Sequence, residues 1–246
     1  SIRPVPSSRS ALWDASYRVA EDPAAIAGRE GSAWLYAVLS EHAGAVALDP
    51  AAMAVPCRPD VPKTLVGDGS NIAKVVQTLK EHDPKSYREW IAHLGTVLED
   101  IRDIVVVEQE HDRHLYIRML REGSPPVSAW AMSDGELRFL GLTLLAYMPD
   151  HEGVFLVEEP ENGMHPQAIQ SVFDSLRSVY EGQVFVATHS PLVVGCADLD
   201  QLLCFSRSET DGTRVIRGQE HRAMRNWKKS VGLGSLYASG VFDDPA

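Results

Sequence analysis

The sequence predicts an α/β fold built on a mainly parallel sheet, with flanking helices and antiparallel hairpins beside it. Three observations carry this. "GVFLVEE" (153–159) and "GQVFVATHSP" (182–191) are short apolar runs ended by polar residues, the pattern of central strands covered on both faces. "HPQAIQSVFDSLRSVY" (165–180) lies between them with helical spacing, and strand, helix, strand at this distance is a βαβ unit. "DIVVVEQE" (103–110) and "RHLYIRMLRE" (113–122) are β-rich runs joined by "HD", which predicts a hairpin.

The other elements follow in chain order. The part up to residue 62 is rich in Ala and Pro with little periodicity, except that "SAWLYAVLSEHAG" (32–44) reads as a helix capped by Ser32 and stopped by Gly44. Prolines 56, 59 and 62 make the next stretch an extended crossing segment. "NIAKVVQTLKEHD" (71–83) and "DPKSYREWIAHLGTVLEDI" (83–101) place apolar residues three or four apart, so both are helices; Asp83 caps the second and Pro84 fills its first turn. "SDGELRFLGLTLLAYM" (133–148) is a helix opened by Ser, Asp and Gly. "DQLLCFSRS" (200–208) and "TRVIRG" (213–218) flank a turn at "TDG" and form a further strand pair, followed by a terminal helical stretch.

Composition bounds the function. The chain has 246 residues, 44% hydrophobic and 23% charged, as expected of a globular protein with a sizeable core. A formal charge of −11 repels polyphosphates, and the nearest approach to a basic run, "HRAMRNWKK" (221–229), reads as a solvated helix face. No apolar run nears the roughly 20 residues that span a bilayer. No signal-peptide core follows Arg3, and the three cysteines contain no CxxC pair; a cytoplasmic protein is the expectation, with Cys204 a buried strand residue.

In open α/β sheets, ligands sit beyond the carboxyl ends of the parallel strands. Three polar clusters reach that edge. Glu158 and Glu159 end one strand. Adjacent carboxylates repel and must be desolvated, so a fold avoids them unless something positive compensates. Strand alternation would send them to opposite faces, one to hold Mg²⁺ and the other to polarise a water; the bland alternative is an acidic strand end in solvent. His189, in "ATHSP", ends the neighbouring strand and is either a capping residue or a donor to a phosphate or an attacking water. Ser133, Asp134, Gly135 and Glu136 open the third cluster. Free N–H groups there suit a phosphate, but Ser, Asp and Glu also suit an ordinary helix cap. A zinc site would need His165, His189 and an acid to converge, at a spacing that matches no ligand pattern such as HExxH.

Taken in this order, the motifs resemble a family. "MSDGELRFLGLTLLA" is similar to an ABC signature motif of the SDG type, "VFLVEEPENGMHP" to an extended Walker B and D-loop, and "VFVATHSP" to a switch-histidine motif. The combination resembles the ABC-type ATPases related to SMC, RecF and the overcoming-lysogenization-defect proteins, a group often placed loosely among AAA ATP-binding proteins. "LVGDGSNIAKVV" (65–76) and "VGLGSLYASGVF" (231–242) add to the likeness, which covers residues 65–242.

The resemblance implies a P-loop NTPase-like head in which two copies sandwich ATP and Mg²⁺. Glu158 would support the Mg²⁺, in place of the more usual aspartate, and Glu159 would be the general base. His189 would sense the γ-phosphate. Glu161, Asn162 and Gly163 would form the D-loop that speaks across the dimer. Ser133, Asp134, Gly135 and Glu136 would meet the nucleotide held by the other copy, and Arg138 could neutralise charge nearby. Relatives of this type serve DNA repair or phage defence, with nucleic acid met by the complete protein.

One motif is missing. GxxxxGK[ST] occurs nowhere in these 246 residues, and "VGDGSNIAK" (66–74) offers Asp68 where phosphate would be repelled. That stretch reads as a loop capping the next helix through Ser70 or Asn71. The chain is therefore expected to be the C-terminal part of an ATPase head, with 1–62 a remnant of the first lobe or an insertion and 63–246 the signature, Walker B and switch-histidine part. Two other functions stay open: a non-catalytic dimerising or regulatory module, and a metal-dependent nuclease using Glu158, Glu159, His165 and His189.

Overall fold

A computed structural model describes residues 43–148, 153–179, 182–208, 212–224, 227 and 231–242. It is a mixed α/β structure with one parallel and two antiparallel sheets. Strand β1 (Ala43–Val46), β5 (Gly153–Glu158) and β6 (Gly182–Ala187) form the parallel sheet, with β5 in the middle. The helix α5 (Pro166–Arg177) joins β5 to β6, so the expected βαβ unit is present. Strands β2 (Ile101–Glu108) and β3 (Leu115–Arg121) pair antiparallel as expected, and the two-residue β4 (Val127–Ser128) adds a third strand that the sequence did not announce.

Among the described residues the core is built by five helices against these sheets. In α2 (Ile72–His82) the residues Ile72, Val75, Val76 and Leu79 face inward at helical spacing. In α3 (Pro84–Leu94) Asp83 caps the N-terminus, accepting from the N–H groups of Lys85 and Ser86, and the Ser86 hydroxyl and N–H hold its carboxyl below the usual range. Helix α3 stops at Leu94, seven residues short of the predicted end, because the next residues fold into turns through Thr96 N–H to His93 O and Leu98 N–H to Leu94 O. Trp90 is fully buried, and its indole N–H is met by Thr143 Oγ1 at 3.0 Å. That threonine belongs to α4 (Asp134–Leu144), which is buried along most of its length. The short α1 (Pro50–Met53) lies against α4, where Leu48 and Met53 fill the space that a side chain at Gly141 would need.

Several expectations are corrected. Gly44 lies inside β1, so it does not stop a helix; the rest of that predicted helix, 32–42, is outside the described residues. Asn71 occupies the N-cap position of α2 without capping it. Its buried amide instead accepts from Val66 N–H and donates to the Pro62 and Thr64 carbonyls, bracing the preceding loop. Cys204 is half-buried rather than buried. The predicted basic helix face at 221–229 begins as a tight 3-10 turn, Arg222–Met224, beside a buried His221, and its later residues are mostly outside those described.

Among the described residues the parallel sheet is not covered on both faces. Val157, Val184 and Val186 pack toward the core, but Leu156 and Phe185, neighbours on the other face, are each 46% exposed. The C-terminal elements are smaller. Helix α6 (Pro191–Cys196) follows "THS", and β7 (Leu203–Ser208) pairs antiparallel with β8 (Gly212–Arg217) as expected. The terminal α7 (Leu233–Ala238) packs on α6 around Val194, Met224 and Leu233. There Gly234 approaches so closely that a Cβ would lie 2.2 Å from the Pro191 carbonyl oxygen. Among the described residues no helix is long and apolar enough to cross a membrane.

Candidate functional site

Parallel pairing brings the carboxyl ends of β5 and β6 to one edge, with Glu158 opposite Ala187. Glu158 is exposed there. Glu159 has left the strand: its φ of +44° turns the chain, and its N–H donates to the Ala187 carbonyl at 2.8 Å. Strand alternation therefore does not orient the second acid; a left-handed backbone does. Such a conformation costs a non-glycine residue on the order of 1–2 kcal/mol, which the surrounding hydrogen bonds must hold in place.

The turn that follows supplies those bonds. Asn162 N–H donates to the Glu159 carbonyl, and Asn162 Nδ2 donates to Glu159 Oε2 at 2.6 Å. One oxygen of the predicted base is thus fixed by a residue of the predicted D-loop. Glu161 reaches the neighbouring strand end, where the Thr188 hydroxyl donates to its Oε1 at 2.5 Å and Ser190 N–H donates to Thr188 Oγ1 at 2.9 Å. The other Glu161 oxygen is buried and has no hydrogen-bond partner among the described residues. His189 is exposed at the end of β6. The two strand ends are therefore fastened to each other by side chains as well as by the sheet.

The third cluster joins them through the backbone. Gly135, in the first turn of α4, sits so near the 159–163 turn that a Cβ on it would lie 2.6 Å from the Gly163 carbonyl oxygen. Only glycine permits that approach. Gly163 itself has φ +73°, which glycine adopts freely. A cleft of about 220 Å³ opens between these segments, bounded by Ser133, Gly135, Glu136, Phe139, Gly163 and His165. His165 is spent on helix capping, with Nδ1 accepting from Gln167 N–H at 3.3 Å.

Ser133 and Glu136 form a capping box. Ser133 Oγ accepts from Glu136 N–H at 3.2 Å and donates to Glu136 Oε2 at 2.9 Å, and Ser133 N–H donates to that same oxygen at 2.8 Å. Asp134 is exposed in the first turn, where its charge suits the helix dipole. So the cap reading of the sequence is realised in full. A phosphate at this helix end would have to compete with Glu136 for the Ser133 hydroxyl.

The arginine that matters here is not the one the sequence brought forward. Arg138 is half-buried and makes no ion pair among the described residues. Arg121, at the end of β3, donates through Nη2 to Glu136 Oε1 and through Nη1 to Asp100 Oδ1, the latter at 2.6 Å. The guanidinium holds the Asp100 carboxyl below its usual range, and the paired carboxylates push Arg121 up. Nothing in the local sequence marks Arg121, because its partners arrive from a different strand connection and a different helix.

Among the described residues no three His, Cys, Asp or Glu side chains converge on a metal-sized point, and Glu158, Glu159, His165 and His189 form no such group. A magnesium ion needs less: one or two carboxylates, with waters and phosphate oxygens completing the shell. The exposed Glu158 beside the half-buried Glu159 fits that requirement. The loop at 66–71 does not cradle an anion. Asp68 accepts from Ser70 N–H within its own turn, a bond that lowers its pKa, and so it presents negative charge.

Known proteins give three comparisons. Solved structures resemble the chain at low similarity, among them the following three. One is described as "Structural biochemistry of ATP-driven dimerization and DNA stimulated activation of SMC ATPases" (16% identity, TM-score 0.42, covering 57% of this chain and 88% of that one). The second is an Smc head domain with coiled coil and joint from Pyrococcus yayanosii (19%, 0.42, 58% and 28%). The third is an Smc head domain with an extended coiled coil from Pyrococcus furiosus, bound to the C-terminal domain of ScpA (17%, 0.43, 61% and 38%). The chain thus spans well under half the length of both Pyrococcus structures. No curated protein matches it. The sequence profile of a family described as "AAA domain, putative AbiEii toxin, Type IV TA system" matches residues 59–195, more than half of the chain and all three motif clusters. The chain belongs to that AAA-domain family.

Proposed function

We propose that this chain forms part of an ATPase head that works as a pair, with ATP and Mg²⁺ between two copies. The observation that supports it best is the joining of three motif clusters at one sheet edge. Glu159 is tied to Ala187, Glu161 to Thr188, and Gly135 sits against Gly163. An acidic strand end that merely met solvent would have no use for these links.

Each residue then has a task. Glu158 would hold Mg²⁺, which supplies charge neutralisation at the phosphates. Glu159, with one oxygen held by Asn162, is oriented to accept a proton from water. His189, exposed beside it, is available to a γ-phosphate. Ser133 and the first turn of α4 would meet the nucleotide held by the second copy, and the 161–163 turn would report on that meeting. The phosphate-cradling loop would come from residues outside these 246, since GxxxxGK[ST] does not occur in them. DNA repair and phage defence remain the processes that the motif likeness proposes.

Glu159→Gln in the complete protein should abolish ATP hydrolysis while leaving ATP binding intact. Unchanged turnover would overturn the assignment of the base. Absence of Mg²⁺-dependent ATP binding by the complete wild-type protein would favour the non-catalytic module instead.

A further inference from the structure

The Arg121–Glu136–Ser133 chain of contacts has a consequence for how two heads close. Glu136 is held from both sides: Arg121 grips Oε1, and the N–H and hydroxyl of Ser133 both donate to Oε2. Only about a fifth of either charged side chain is exposed, 19% for Arg121 and 23% for Glu136, so solvent screens the pair weakly. The Ser133 hydroxyl has one proton, and in this arrangement it goes to Glu136. A phosphate can take that proton only if Glu136 releases it. A carboxylate left uncompensated at this helix start would also repel the incoming anion.

We infer that Arg121 is a positioning residue for the helix α4 start, neutralising Glu136 and taking over its carboxylate when Ser133 turns to the phosphate of a nucleotide held by a second copy. Asp100 keeps the guanidinium in place through its second arm at 2.6 Å. The β2–β3 hairpin is thereby coupled to head closure. The inference rests on the function proposed above and adds a residue that the signature motif does not contain.

The test is nucleotide-dependent dimerisation of the complete protein carrying Glu159→Gln to block turnover, followed by sedimentation as Mg·ATP is titrated. In that background Arg121→Ala should raise the ATP concentration for half-maximal dimerisation roughly tenfold, the size of one charge-assisted hydrogen bond. The affinity of the undimerised head for ATP should not change. Adding Glu136→Gln to Arg121→Ala should recover most of the loss, because a neutral amide needs no counter-charge. A purely structural role for Arg121 would show instead as a loss of unfolding free energy in the undimerised head that matches the loss of dimerisation. Dimerisation of Arg121→Ala at the parental ATP concentration, or failure of Glu136→Gln to rescue, overturns the inference and leaves the ATPase reading standing. If the parental protein itself does not dimerise with ATP, both fall together.

Discussion

The helical lobe and the parallel sheet treat their apolar residues differently. In the lobe formed by α2, α3, α4 and the β2–β3 hairpin, Trp90, Leu140, Ile104 and Met119 are fully buried, and the one polar atom of Trp90 has its partner in Thr143. In the parallel sheet, Leu156 and Phe185 are apolar too, yet they stand 46% exposed, and in the β7–β8 hairpin Phe205 reaches 68%. Apolar residues at strand positions are thus of two kinds here. Some close the chain's own core, and others present a surface. The contrast places the chain's stability in the lobe and its candidate chemistry at the edge of the less covered sheet.

Mutation should expose the difference directly. Trp90→Ala should lower unfolding free energy by about 3–5 kcal/mol, as buried aromatic truncations do, whereas Phe185→Ala should cost under about 1 kcal/mol. Denaturant melts of both variants measure this. A Phe185→Ala loss equal to that of Trp90→Ala would mean that the sheet face is covered after all.

A smaller effect is expected where the two regions meet. Gly135→Ala drives a methyl group toward the Gly163 carbonyl, and neither backbone segment is a flexible side chain that can move aside. A stability loss of about 1–3 kcal/mol follows, with the helix start pushed away from the 159–163 turn. A variant as stable as the parent would show that the approach is looser than 2.6 Å requires.

The smallest effect is a pH dependence within the lobe. His93 bridges α3 to Tyr147 and Ser171, with Nδ1 2.8 Å from the Tyr147 hydroxyl and Nε2 2.7 Å from Ser171 Oγ. Burial lowers its pKa from the ordinary 6.5. The unfolded chain therefore takes up the proton first, so the contribution is complete above pH 6.5 and is lost as pH falls from there toward the lower folded value. Thermal melts between pH 7.5 and 5 should show this acid-side loss in the parent, and His93→Gln should reduce it.

The sequence made the elements of the lobe legible because periodicity and capping are local. Asp83 with Pro84, and Ser133 with Glu136, announce their helices within four residues. The βαβ unit was legible for the same reason, since "GVFLV", the helix and "QVFVA" follow one another. What stayed hidden was long-range. Strand β1 carries no signal that it pairs with β5 more than 100 residues later. Two-sided covering of β5 was inferred from an apolar run, but such a run fixes only what a strand could bury, and what it meets is decided elsewhere. The left-handed turn at Glu159 was invisible because glutamate gives no hint of positive φ. Arg121 was missed because an arginine near the end of a hairpin looks like any other until α4 packs against it.

In the proposed function, one catalytic centre takes Glu159 from one copy and Ser133 from the other. Complementation tests it most directly. In the complete protein, Glu159→Gln and Ser133→Arg should each abolish ATP hydrolysis alone. Mixed, they can form a pair in which one centre has an intact Glu159 from the Ser133→Arg copy and an intact Ser133 from the Glu159→Gln copy, so each mixed pair should turn over ATP at up to half the rate of a wild-type pair. A mixture as inactive as either variant alone, with mixed pairs shown to form, would contradict the shared centre.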